Sequence, residues 1–165
     1  MNDVLEAKIE QQVAWLAERL IERNWSVTTA ESCTGGGVAE SMTALAGSSA
    51  WFNAAFVTYS NAMKSQLLGV KTDALEAHGA VSQVVASQMA EGALASAQAN
   101  LAVAISGIAG PGGGSPDKPV GTVCFAVAGT SVDTFTETCL FAGDRHQVRL
   151  QAVSHALQML LDKFN

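Results

Sequence analysis

The sequence predicts a three-layer α/β/α domain around a mixed, mostly parallel sheet with one antiparallel strand. Three observations carry this reading. Short apolar runs alternate with amphipathic runs of helical period, the pattern of strands joined by helical crossovers. Leu101 to Ser106 is almost continuously apolar, as a strand buried on both faces must be. Two β-rich runs near the C-terminus, Gly121 to Ala128 and Thr134 to Phe141, are separated only by Gly129 to Asp133. That gap suits a hairpin, so one strand must run against its neighbours. The 165 residues are expected to form a single domain, 1–165, with a sizeable core.

The elements follow in order. Leu5, Ile9, Val13, Leu16 and Leu20 recur at three- and four-residue spacing, which predicts a helix over Asp3 to Arg23 with Asn24 closing it. Trp25 to Thr29 reads as the first strand. Thr28-Thr29-Ala30-Glu31-Ser32-Cys33-Thr34-Gly35-Gly36-Gly37 then reads as strand, tight turn and helix, the helix ending near Ala46-Gly47-Ser48-Ser49. Ala54 to Tyr59 is a second short strand. Ser60-Asn61 caps a helix over Ala62 to Leu68 that Gly69 closes. A further helix is expected over Thr72 to His78, capped by Thr72 or Asp73, and an Ala-rich one over Ser82 to Gln98. After the strand from Leu101 comes the irregular segment Gly107 to Pro116. Asp144 or Gly143 starts the last helix, which runs to about Lys163.

Composition narrows the function. Apolar residues make up 48% and charged residues 15%, which is globular, and the 15 glycines cluster at particular places. A net charge of −6 argues against nonspecific nucleic-acid binding but leaves room for a local basic pocket. The three cysteines, Cys33, Cys124 and Cys139, form no C-x-x-C pair, so neither a disulfide framework nor a zinc site is expected. No basic and apolar leader follows Met1, and no run of about 18 apolar residues exists to span a bilayer. The expectation is a reduced, cytoplasmic protein with no metal or cofactor, no membrane partner and no nucleic-acid partner.

Ligands of open parallel sheets bind at the carboxyl ends of the strands. Three segments follow apolar strands here: Glu31-Ser32-Cys33, Tyr59-Ser60-Asn61 with Lys64 one turn on, and the glycine-rich loop after Ser106. Ser32 is either a helix N-cap or a nucleophile beside the unpaired N–H groups of a helix start. A nucleophilic serine needs a base. Lys64, partly desolvated near a helix start, is a candidate base or a solvated surface lysine; Tyr59 relays a proton or packs at the strand end. His78, His146 and His155 follow no strand and are poorer bases. Cys33 is the rival nucleophile, since a helix N-terminus lowers a thiol pKa, or else a buried filler. Arg145 and Arg149, one turn apart, form either a solvated pair or an anion clamp. Ser115-Pro-Asp-Lys118 spells a serine-hydrolase pattern, but Pro116 and Pro119 deny it the required helix. Gly110-x-Gly112 leads to no helix, so it is no dinucleotide fingerprint.

Several motifs together resemble the C-terminal domain family of the competence/damage-inducible protein CinA, in its stand-alone form. They are Thr29 to Gly36, Val57-Thr58-Tyr59-Ser60-Asn61 with Lys64, Ser106 to Gly113, Lys118 to Val123, and Gly143-Asp144-Arg145 with Arg149. The resemblance covers essentially the whole chain in order. It implies a mixed five-stranded sheet and hydrolysis of nicotinamide mononucleotide to nicotinate mononucleotide and ammonia, in pyridine-nucleotide (NAD) recycling. It also implies a Ser/Lys amidohydrolase mechanism, with Ser32, Lys64 and Tyr59 at the matching positions. Ser106 departs from the threonine common in the family but keeps a hydroxyl. Longer members carry an N-terminal pyrophosphatase-type domain, so that activity is expected to be absent. On this reading Lys64 takes the Ser32 proton, directly or through Tyr59, and backbone N–H groups of Cys33, Thr34 and Gly35 hold the oxyanion. Ser106, Gly107, Gly112 and Arg145 complete substrate binding. The expected partners are the mononucleotide and further copies of the chain, as a dimer or larger homo-oligomer. The alternative is a non-catalytic nucleotide-binding or regulatory module on the same fold.

Overall fold

The computed structural model describes residues 1–165. In chain order the elements are α1 (Asn2–Arg23), β1 (Val27–Glu31), α2 (Gly37–Thr43), a 3₁₀ turn (Ser48–Ala50) and β2 (Phe52–Val57). Then come α3 (Asn61–Leu68), α4 (Thr72–His78), α5 (Gln83–Ala97), β3 (Leu101–Gly107), β4 (Thr122–Gly129), β5 (Phe135–Leu140) and α6 (Arg145–Leu161), with a closing 3₁₀ turn (Asp162–Phe164). The five strands form one sheet in the order β2-β1-β3-β4-β5. β1 pairs in parallel with both β2 and β3, whereas β4 is antiparallel to β3 and to β5. One strand, β4, therefore opposes the other four, as the short hairpin gap demands.

The two faces of the central strands differ in size. Leu101, Val103 and Ile105 of β3, with Val123, Phe125 and Val127 of β4, bury large side chains against α1 and α6. Ala102 and Ala104, with Cys124, Ala126 and Ala128, present a shallow face to α5. Alternation along a strand sends neighbouring residues to opposite faces, so the near-continuous apolar run of β3 serves two cores at once. Small residues on both surfaces let α5 approach closely, where Ala86, Met89, Ala90 and Ala93 are fully buried. No helix is long and apolar enough to cross a membrane.

Most boundaries match the sequence reading to within a residue or two, and the departures have physical causes. Asn24 closes α1 in the left-handed conformation (φ 53°), and the Trp25 N–H still donates to the Leu20 carbonyl. The chain is therefore not free to extend until Val27. α4 has the expected span, but its N-cap is Lys71, which makes no side-chain cap bond, and not Thr72 or Asp73. The largest departure is α2: it begins at Gly37, five residues after Ser32, and ends at Thr43. Ser32 is thus not its N-cap.

Gly92 of α5 lies against the Leu68 carbonyl at the end of α3, so a methyl group there would overlap that oxygen. Alanine is the better helix former by about 1 kcal/mol, but a backbone atom yields less readily than a flexible side chain. Gly92→Ala is expected to lower stability by about 1–3 kcal/mol, measured by urea denaturation. A stabilised variant would show that α3 and α5 are free to separate.

Candidate active site

β1 ends at Glu31, and the Ser32 N–H donates to the Ile105 carbonyl (3.0 Å), tying the turn to β3. The chain then folds back: the Gly35 N–H donates to the Ser32 carbonyl and the Gly37 N–H to the Thr34 carbonyl, each at 3.0 Å. Gly35 and Gly36 have φ of 60° and 98°, which side chains with a Cβ seldom tolerate. Gly36 is the N-cap of α2 and has no side chain with which to cap it. Glu31 supplies the missing acceptor. Its fully buried carboxylate accepts from the Val38 and Ala39 N–H groups (both 3.0 Å), from Thr34 Oγ1 (2.7 Å) and from Thr29 Oγ1 (3.1 Å). From the other side, Arg149 of α6 donates through Nε to the Cys33 carbonyl and through a terminal nitrogen to the Thr34 carbonyl, both at 3.1 Å. The first N–H groups of α2, expected to face a ligand, are therefore taken by Glu31. The Gly35 N–H is also taken. The Cys33 and Thr34 N–H groups have no acceptor within the protein.

Lys64 reaches the same point from the neighbouring crossover. Ser60 caps α3 by accepting from the Met63 N–H (3.2 Å), and one residue later Lys64 turns inward, 1% exposed. Its Nζ lies 3.1 Å from Ser32 Oγ, 2.8 Å from the Thr58 carbonyl and 3.3 Å from the Tyr59 carbonyl. No carboxylate lies within ion-pair distance of it. Burial lowers its pKa from the ordinary lysine value of 10.5. The two carbonyls accept two N–H bonds, and the third direction of the nitrogen faces the serine. A neutral amine in that position turns its lone pair to the hydroxyl.

A cleft of about 280 Å³ opens over this pair. Of the residues singled out from sequence, Ser32, Cys33, Tyr59, Lys64, Ser106, Gly107, Gly112 and Arg145 all line it. Thr34 and Gly35 do not: the Thr34 hydroxyl is drawn inward to Glu31, and Gly35 lies along Arg149. Tyr59 is mostly exposed, and its hydroxyl accepts from Arg145 (3.1 Å), which also donates to the Gly110 carbonyl (2.7 Å). The tyrosine hydroxyl thus meets Arg145, while lysine and serine touch directly. Ser106 donates to the Ala80 carbonyl (2.8 Å), fixing the start of α5 against β3. Arg145 and Arg149 do not act as one clamp, since only Arg145 faces the cleft.

The rival chemistries fare poorly. Burial pushes the Cys33 thiol up to about 11, away from the thiolate. His155 Nε2 contacts both Glu137 (2.7 Å) and Cys139 (3.5 Å), but these residues lie on β5 and α6 outside the cleft. One ring nitrogen serves both partners, so no relay from thiol through imidazole to carboxylate exists. Ser115 and Lys118 form a turn, and Lys118 Nζ donates to the His78 carbonyl. Sequence reasoning missed the tasks of Glu31 and Arg149. A usable signal was present: a helix start made of three glycines has no capping side chain, so a nearby acceptor must serve.

The fold and the site define a class: three-layer α/β/α proteins with a serine–lysine pair at the carboxyl edge of parallel strands. Comparison with known proteins resolves it further. Residues 8–164 match the CinA C-terminal domain model, and the chain belongs to that family. It is 52% identical over 164 residues to nicotinamide-nucleotide amidohydrolase PncC of Escherichia coli K12, covering 99% of this chain and 98% of that one. It is 55% identical over 146 residues to PncC of Pseudomonas putida, covering 88% and 91%. The crystal structure of competence/damage inducible protein CihA from Agrobacterium tumefaciens superposes with a TM-score of 0.92 at 44% identity, over 94% of each chain.

Glu31→Gln tests the turn. Both carboxylate oxygens face N–H groups of α2, so an amide must turn its own donor toward one of them. Stability should fall by about 1–3 kcal/mol, read by urea denaturation. Unchanged stability would mean that α2 starts without this cap.

Proposed function

We propose that this protein hydrolyses the carboxamide of nicotinamide mononucleotide to give nicotinate mononucleotide and ammonia, with Ser32 as nucleophile and Lys64 as its general base. The observation that carries the mechanism is the 3.1 Å contact of a buried lysine amine, free of any carboxylate, with the serine hydroxyl. The class, a hydrolase acting on an amide, rests on the full-length similarity to the PncC amidohydrolases, whose name supplies the substrate. The wider reading is one amidohydrolase domain, 1–165, acting in the cytoplasm in pyridine-nucleotide recycling.

Neutral Lys64 takes the Ser32 proton as Oγ bonds to the carboxamide carbon. The resulting oxyanion is held by the Cys33 and Thr34 N–H groups, two donors without protein acceptors. Lys64 then gives its proton to the departing nitrogen, the C–N bond breaks, and ammonia leaves. Water attacks the acyl group with Lys64 again taking a proton, and collapse returns that proton to Ser32. Tyr59 is not needed as a relay, because lysine and serine are in contact. It serves instead with Arg145 as a wall of the cleft, where the guanidinium is the charge available to the anionic nucleotide. No step calls for a metal.

Two measurements test this. Ser32→Ala should abolish ammonia release from the mononucleotide while the fold survives, and Cys33→Ala should keep most of it; the reverse pattern would promote the thiol. The base requires the neutral amine, so turnover should rise with pH through an apparent pKa below the ordinary lysine value, the direction set by burial. Lys64→Arg should be nearly inactive at every pH, because guanidinium does not deprotonate. Substantial turnover in that variant at saturating substrate would eliminate Lys64 as the base.

A further inference from the structure

We infer that Arg149, which touches neither Ser32 nor the cleft, is a positioning residue that sets the direction and strength of the oxyanion-binding N–H groups; this rests on the amide-hydrolase reading above. In a trans peptide the carbonyl and the N–H of one unit point in opposite directions. The Cys33 carbonyl accepts from Arg149 Nε, so the Thr34 N–H of that same unit is directed away from the arginine. The Ser32 carbonyl accepts from the Gly35 N–H, which likewise fixes the Cys33 N–H of its unit. The Thr34 carbonyl accepts from both Arg149 and the Gly37 N–H. Holding the Cys33 carbonyl turns the acceptor-free Thr34 N–H away from the arginine, and holding the Thr34 carbonyl steadies the Gly35 N–H, whose bond to the Ser32 carbonyl fixes the acceptor-free Cys33 N–H.

The arginine suits this task by charge as well as shape. No carboxylate lies within ion-pair distance of Arg149, so its charge is directed into the two carbonyls. A cation on a carbonyl oxygen polarises the peptide unit and makes its N–H a stronger donor. The planar fork meets two consecutive carbonyls with two different nitrogens, Nε and a terminal one, held in fixed geometry, whereas an ammonium would have to serve both from one atom on a flexible stem. Its base is rigid: Val148, Ala152 and Val153 of α6 are buried in the larger core. Gly35 completes the fit, because a Cβ there would sit 3.3 Å from the arginine's terminal nitrogen. Arg145, one turn earlier on the same helix, faces the cleft, so the two arginines separate substrate contact from turn geometry.

The test is steady-state kinetics on nicotinamide mononucleotide with Arg149→Lys, together with hydrogen exchange at the Gly35 amide. Loss of one oxyanion donor costs about 10²–10³ in kcat. Arg149→Lys is therefore expected to lose about 10²-fold in kcat with KM within about twofold, and to keep the apparent pKa assigned to Lys64. Guanidinium added to Arg149→Ala should restore turnover saturably. The Gly35 amide should exchange at least about tenfold faster in Arg149→Lys, because its bond to the Ser32 carbonyl loosens with the turn. Should Arg149→Lys fail to fold, Arg149→Gln, which keeps a neutral donor at the same place, should show the same loss of kcat at steady KM. A kcat within twofold of wild type in the tested variant, or a defect confined to KM, overturns the inference. If the wild-type protein does not hydrolyse the mononucleotide, the functional reading fails separately. The Gly35 exchange rate then decides the pinning alone, unchanged exchange overturning it.

Discussion

The structure depends on holding a lysine amine out of water with no counter-charge. Lys64 is 1% exposed, and its three neighbours are two backbone carbonyls and one hydroxyl, all neutral. Such a site penalises the charged amine and favours the neutral one. A carboxylate here would stabilise the ammonium at the expense of the neutral amine. The chain does place a carboxylate nearby, Glu31, one residue before the serine, but directs it to the start of α2, where two N–H groups of that helix and two threonine hydroxyls hold it. The two buried charge-bearing groups are thus kept to separate partners.

Strand order is what brings the pair together. Glu31 pairs with Val57 across β1 and β2, and the Thr58 N–H continues the ladder to the Glu31 carbonyl at 2.9 Å. Ser32 and Thr58 therefore leave the sheet side by side. The Thr58 carbonyl then accepts from Lys64 Nζ, so the last rung of the ladder sets the position of the amine. β3 lies on the other side of β1 and brings Ser106 and the glycine-rich loop to the same edge. Parallel pairing of three strands delivers all three segments by their carboxyl ends, the usual site of ligands in such sheets.

This edge was legible in the sequence because its signals are local. A short β-prone segment marks β1 and apolar runs mark β2 and β3, and Ser60 and Gly69 act as the expected caps of α3. The residues that follow each strand could therefore be named before any contact was known. The tasks of Glu31 and Arg149 were not legible in the same way. Glu31 acts seven and eight residues away, on Val38 and Ala39, and Arg149 acts across more than a hundred residues, on Cys33 and Thr34. Nothing in the local pattern around Arg149 separates a loop anchor from an anion clamp, since either leaves a basic residue one turn from Arg145. The expected start of α2 failed for a related reason. Glycines permit a helix start as readily as a turn with positive φ, and here Gly35 and Gly36 take the turn.

That late start of α2 changes the electrostatics of the site. A helix beginning at Ser32 would aim its N-terminal N–H groups and dipole at the reacting oxygen. With the helix beginning at Gly37 and sealed by Glu31, this contribution is spent inside the protein. On the proposed mechanism the oxyanion then depends on two peptide units, those ending in the Cys33 and Thr34 N–H groups, which have no acceptor within the protein. Their orientation is not imposed by helical hydrogen bonds and has to be imposed from outside. A rigid α6 bearing a two-pronged cation, and two glycines that accept the resulting backbone angles, meet that requirement. Cys33 fits the same arrangement: its thiol is buried and raised to about 11, away from the thiolate.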